Sequence, residues 1–134
     1  MTPVLVDSNI ILDVATQDPA WMERSGRVLA REAETAQLVI NPIIYAEVSV
    51  GYAQVEDLEA VLPPEAFHRE ELPWAAAFLA GKCFLAYRRR GGKRTSTLPD
   101  FYIGAHAAVA GYRLLTRDAA RYRTYFPRLE IITP

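Results

Sequence analysis

Cysteine is almost absent: Cys83 stands alone among 134 residues. One thiol makes neither an intramolecular disulfide nor a cysteine-rich zinc site, and it suits a reducing cytosol. Lysine is limited to Lys82 and Lys93, which leaves an aspartyl-nucleophile phosphohydrolase without a convincing cationic partner. In that scheme the Asp7-Ser8-Asn9 run also carries Asn9 where a second acid is needed. The segment Gly91-Gly92-Lys93-Arg94-Thr95 falls short of a phosphate loop, with Tyr87 in place of the upstream glycine and Arg94 in place of the hydroxyl residue. No uninterrupted apolar stretch approaches the roughly 18 residues of a spanning helix. The first fifteen residues hold Asp7 and Asp13 inside their apolar run and have no basic start, unlike a signal peptide, so a cytoplasmic location is expected.

What remains is an ordinary globular composition, 51% hydrophobic and 23% charged with 7 Gly and 9 Pro, and one domain over 1–134 is expected. A chain of this length buries roughly two-thirds of its unfolded surface, enough for a core without covalent staples. The formal net charge of −1 conceals a division. Residues 1–81 carry four arginines against thirteen acids, and residues 82–134 carry eleven basic residues against three acids. Such asymmetry suits a polyanionic partner or an acidic site beside a basic surface. Interleaving of the two signs in the fold explains it equally well.

The run Pro3 to Val6 ends abruptly at Asp7 and reads as a buried parallel strand. Further strands are expected at 38–40, 67–72, 113–115 and 129–132. Helices are expected at 8–15, 18–35, 42–51, 55–62, 74–90 and 99–111, with a last short one beginning at Asp118. Asp18-Pro19 and Asn41-Pro42 pair a capping side chain with a first-turn proline, and Gly91-Gly92 and Gly111 stop helices. This alternation predicts an α/β fold, a three-layer α/β/α sandwich on a mainly parallel central sheet. Chemistry in such sheets gathers beyond the carboxyl ends of the strands, where Asp7 and Asp118 fall.

Four of the sixteen acids share a setting at a strand exit or early in a helix, with apolar neighbours: Asp7, Glu47, Asp100 and Asp118. Brought within ~5 Å, each like-charged pair costs on the order of 3 kcal/mol at an effective dielectric near 20. Protonation, arginine partners or a bound cation would offset that cost. Oxygen ligands alone favour Mg2+ or Mn2+. The same positions also suit capping and the helix dipole for Asp7, Asp100 and Asp118, whereas Glu47 sits mid-helix with no capping role. Ser8, Asn9 and Thr116 adjoin these acids and could orient a carboxylate or a metal-bound water, or simply cap locally. Asp13, a turn or more beyond Asp7, is expected to face solvent or a partner. His106 is expected as a satisfied helix-face histidine and His68 at the surface. Arg88, Arg89, Arg90, Lys93 and Arg94 form the strongest basic cluster, just ahead of Asp100, and suit phosphate binding as well as a solvated helix end. Tyr87, Tyr102 and Tyr112 could stack bases or pack at the core edge.

Taken together, VLVDSNIILDV, NPIIYAEVSVGY and LPDFYIGAHAAVAGYRLLTRDAARYRTYFPRLEIITP resemble the PIN-domain ribonucleases, in particular the VapC-type toxins of toxin–antitoxin pairs. The resemblance covers essentially the whole chain and implies that Asp7, Glu47, Asp100 and Asp118 are the acidic metal ligands. It further implies Mg2+- or Mn2+-dependent hydrolysis of RNA phosphodiesters, a cognate antitoxin that blocks the acidic pocket, and a homodimer. A housekeeping RNA-processing nuclease of the same fold, or a non-catalytic RNA- or partner-binding module, are the alternatives. Tyr122 departs from the family, which often has Phe there, a difference expected to affect packing detail rather than chemistry.

Overall fold

Three short strands, two of them wholly apolar, make the middle of the sheet. In the computed structural model, which describes residues 2–95 and 97–134, β1 (Val4–Val6), β2 (Leu38–Ile40) and β4 (Arg113–Leu115) are buried almost throughout. Strands covered on both faces read as continuous apolar runs, and each such side chain removed from water contributes about 1.5–3 kcal/mol. Met1 and Ser96 lie outside the described residues, the latter within the polar loop expected at 93–98.

The chain runs β1, α1 (Ser8–Ala15), α2 (Met22–Ala33), β2, α3 (Pro42–Ser49), α4 (Val55–Val61), β3 (His68–Arg69), α5 (Trp74–Arg89), α6 (Pro99–Ala110), β4, α7 (Ala120–Tyr125) and β5 (Ile131–Ile132). The sheet order is β3-β2-β1-β4-β5 and every pairing is parallel, so the sheet among the described residues is wholly rather than mainly parallel. Register sets Val4 against Leu38 on one side and against Arg113 on the other. Right-handed crossovers place α1 to α4 on one face and α5 to α7 on the other. Within each face α1 packs on α2 and α3, and α6 on α5 and α7, while α3 and α6 also meet. The order reverses between β1 and β4, which opens a crevice beyond their carboxyl ends.

Local chemistry explains most boundaries. Asn41 caps α3 by accepting from the Ile44 N–H at 2.9 Å, with Pro42 in the first turn. Gly111, at φ +73°, ends α6 in the left-handed conformation that glycine adopts without strain. Gly104 lets the Phe126 ring lie directly on α6, where a Cβ would overlap it. Asp18 does bind the N–H groups of Ala20 and Trp21, but this turn closes before α2, which starts at Met22 rather than at 18. The third strand shrinks from the expected 67–72 to two exposed edge residues, the fifth to two, and the last helix opens at Ala120 rather than Asp118.

Candidate functional site

The four acids lie toward the carboxyl end of the sheet: Asp7 follows β1, Glu47 is on α3, Asp100 is on α6 and Asp118 follows β4. Asp7 leaves β1 as the cap of α1, and its carboxylate is 4% exposed. It accepts the Ser8 N–H at 2.8 Å on Oδ1, and the Thr116 and Tyr122 hydroxyls at 2.8 and 3.0 Å on Oδ2. Glu47, half-buried on α3, accepts the Ser8 hydroxyl at 3.0 Å. Ser8 therefore binds one acid through its main chain and a second through its side chain. Asp100 lies in the first turn of α6, its Oδ1 3.3 Å from the Tyr122 hydroxyl and its Oδ2 3.6 Å from Arg121. Asp118 is exposed beyond β4, and its N–H donates to Thr116 Oγ1 at 3.2 Å.

The electrostatics follow from that burial. Desolvation raises the Asp7 carboxyl above its ordinary value, the charge of Asp100 adds to it, and the three hydrogen bonds act against it. Glu47 is raised by burial first and then by the charges of Asp7 and Asp100, against the Ser8 hydrogen bond. Asp100 is raised by burial and by Asp118, with Arg121 and Tyr122 opposing. The Tyr122 phenol, 1% exposed, is held far above its usual range by burial and by the surrounding carboxylates, so it stays a donor.

Ser8 and Thr116 bind the acids directly, and Asn9 reaches Asp7 through Thr116. Asn9 donates to Thr116 Oγ1 at 3.3 Å and accepts the Arg117 N–H at 3.1 Å, joining α1 to the turn after β4. Asp13 does not face solvent, one of the two settings expected for it. It is 2% exposed and holds Arg117 through two contacts of 2.9 and 3.0 Å, while the Ser25 hydroxyl donates to it at 2.7 Å. Its position on α1 carried no sign of burial because its partner lies 104 residues away.

Arg88, Arg89, Arg90, Lys93 and Arg94 are exposed around the end of α5. Arg88 donates to the Arg94 carbonyl at 2.6 Å, and Arg90 lies over the Tyr125 ring. Tyr125 in turn lines a cleft of about 410 Å³ with Tyr87, Asp100, Asp118, Arg121 and Thr124. Of the three tyrosines considered for stacking, Tyr87 lines this cleft, whereas the Tyr112 hydroxyl binds Glu70 and Tyr102 packs on the core. Arg121 is a group the sequence reading did not single out, and Tyr122 was expected to bear on packing rather than chemistry, whereas its hydroxyl reaches Asp7 and Asp100. Both lie on α7, just past Asp118 in the sequence.

His106 is fully buried, with Nδ1 3.0 Å from Asn41 Nδ2. Because Asn41 Oδ1 already accepts from Ile44, the amide nitrogen donates here and Nε2 carries the imidazole proton, 3.4 Å from Glu70. His68 lies at the surface.

Among the described residues no three histidine, cysteine or acidic side chains are gathered into a ready coordination group. The donor chemistry nonetheless fits a hard divalent cation. Asp7, Glu47 and Asp100 are all raised by burial and by one another or Asp118, and a cation would relieve that repulsion.

No curated protein matches the chain by sequence. Solved structures do. A chain of the Rickettsia felis VapBC2 complex, bound to a fragment of its promoter DNA, aligns at TM-score 0.75 with 17% identity, covering 98% of both chains. A chain of the DNA-bound Salmonella typhimurium VapBC complex aligns at 0.73 with 18% identity over 99% of this chain and 98% of the other. A toxin–antitoxin complex from Klebsiella pneumoniae gives 0.69 with 22% identity over 98% and 97%. The family model for the PIN domain matches residues 4–127, a span that takes in all four acids and the whole sheet except β5, and on that match the chain belongs to the PIN domain family.

Proposed function

We propose that the chain is a single PIN domain acting as a Mg2+- or Mn2+-dependent endoribonuclease, the toxin of a toxin–antitoxin pair. The observation that carries this reading is the linkage of Asp7 to Asp100 through Tyr122 and to Glu47 through Ser8 at the reversal of strand order. Family membership supports nuclease chemistry with a divalent cation. The similarity to chains of VapBC complexes supports an antitoxin partner.

Asp7, Glu47, Asp100 and Asp118 would hold the cation. When bound, it supplies activation of water and neutralisation of charge on the scissile phosphate. Ser8 and Thr116 fix the carboxylates through their hydrogen bonds, and Asn9 holds Thr116, so the ligands need little reorganisation. Arg88, Arg89, Arg90, Lys93 and Arg94 draw the RNA backbone to the cleft, and Tyr87 and Tyr125 offer ring surfaces beside it.

The partner reading has two apolar surfaces to draw on. Trp74 and Phe78, one turn apart on α5, are 91% and 69% exposed. Ile11, Val14, Leu29, Val61 and Phe67 line a separate apolar recess between helices. An antitoxin segment and a second copy of the chain are the proposed occupants, in a cytoplasmic setting. Expression alone should arrest growth, and co-expression of the product of an adjacent small reading frame should restore it. Growth unaffected by expression, together with metal-dependent cleavage in vitro, would point to a housekeeping nuclease instead.

A further inference from the structure

Strand β4 begins and ends in an ion pair. At its start Arg113 Nη1 lies 3.0 Å from Glu32 Oε1. Just past its end Arg117 presents Nε and Nη2 to the two oxygens of Asp13, at 3.0 and 2.9 Å, a two-pronged grip. Ser25, fully buried, adds its hydroxyl to Asp13 at 2.7 Å. The Arg117 guanidinium lies 5.0 Å from the centre of the Trp21 ring, which Arg24 approaches to 3.9 Å.

A buried carboxylate is a poor device for stability, because the desolvation of the charge cancels much of its attraction and an apolar residue often serves as well. What this pair does provide is direction. Asn9 and Asp13 stand four residues apart on α1, hence on one face. Asn9 takes the main-chain N–H of Arg117, and Asp13 takes its side chain. The residue between Thr116 and Asp118 is therefore held to α1 at both its backbone and its guanidinium. Thr116 reaches Asp7 and Asp118 N–H reaches Thr116, so the grip extends to both acids at this end of the crevice.

We propose that Asp13 is a positioning residue, which by clamping Arg117 fixes the 116–118 turn against α1 and sets Asp118 opposite Asp7 for cation binding. Asp13 touches neither cation nor RNA and acts through Arg117. The inference rests on the site proposed above, in which Asp118 is a ligand.

The test titrates Mn2+ into the full chain by calorimetry and measures thermal unfolding on the same samples. Asp13→Asn is expected to weaken Mn2+ binding about 10-fold or more. Arg117→Lys keeps the charge but loses the fork, and is expected to show a smaller loss of the same sign. It also covers the case in which Asp13→Asn does not fold. Combining the two should add little to Asp13→Asn alone, as for groups acting as a unit. Glu32→Gln, at the other end of β4, should lower the unfolding temperature but leave Mn2+ affinity within about two-fold, because that pair contacts no part of the site. Affinity unchanged in Asp13→Asn and Arg117→Lys, or reduced equally by Glu32→Gln, would overturn the clamp while leaving the cation site standing. Failure of the unaltered chain to take up Mn2+ would overturn the site and the clamp together.

Discussion

The Tyr122 hydroxyl donates to Asp7 Oδ2 at 3.0 Å and at the same time lies 3.3 Å from Asp100 Oδ1. A phenol has one hydrogen, so it serves Asp7 fully and Asp100 weakly. It joins a buried acid to a half-buried one that would otherwise meet only through mutual repulsion. The phenol oxygen thus reaches two of the acids, where the sequence reading expected an effect on packing alone.

Tyr122→Phe tests that role. The ring keeps its place between α7 and the sheet, but Asp7 loses one of three donors in a buried setting. The variant should fold and lose about 1–3 kcal/mol, the cost of a removed hydrogen bond to a charged group. Urea unfolding at neutral pH, without divalent cations, reads this directly, and equal stability would show that the hydroxyl is not engaged.

Asp100→Asn should stabilise the cation-free protein. The Asp100 carboxyl is raised in the folded state by burial and by Asp118, so its contribution is fully present below its unfolded value and is lost as pH rises through its folded value. An amide carries no such loss. The variant should exceed the parent near neutral pH by about 0.5–2 kcal/mol, the usual gain when a strained site is relaxed, or about 2–6 °C in Tm. The gap should close as pH falls toward the unfolded carboxyl value, about 3.9 for Asp. A gap that stayed constant with pH would assign the effect to packing instead.

Gly104→Ala addresses the contact between α6 and Phe126. The new Cβ would overlap a ring that is itself 6% exposed, and overpacking of this kind costs about 1–3 kcal/mol. Adding Phe126→Leu should recover part of the loss, since the smaller side chain yields room. Additive losses in the double variant would contradict the contact.

Arg89→Ala and Lys93→Ala probe the basic segment without disturbing Arg88, which holds the Arg94 carbonyl, or Arg90, which covers Tyr125. Binding of single-stranded RNA, measured without divalent cations to prevent cleavage, should weaken across sequences. The slope of log affinity against log salt should fall by about 0.7 for each phosphate contact removed. An unchanged slope would place the RNA elsewhere.

The runs VLV and LVI and the Leu-Leu of RLL marked the middle of the sheet because each is apolar and ends at a polar residue, and Asn41-Pro42 marked a helix start that Asn41 does cap. Asp18-Pro19 carried the same local signal, yet the Asp18 side chain closes a turn before the regular helix. Local chemistry cannot distinguish those outcomes. The placement of Asp7, Asp100 and Asp118 at strand exits or a helix start was legible. Asp13 and Tyr122 were not, because their partners Arg117, Asp7 and Asp100 lie 104, 115 and 22 residues away. Only the reversal of strand order beside β1 brings those side chains together.

The most direct measurement incubates the purified chain with a mixed RNA pool, with and without Mg2+ or Mn2+, beside Asp7→Asn. Cleavage that requires the cation and disappears in Asp7→Asn, while the variant keeps a cooperative unfolding transition, is the expected result. Cleavage without divalent cation, or cleavage by Asp7→Asn at the parent's rate, would contradict the acidic cation site.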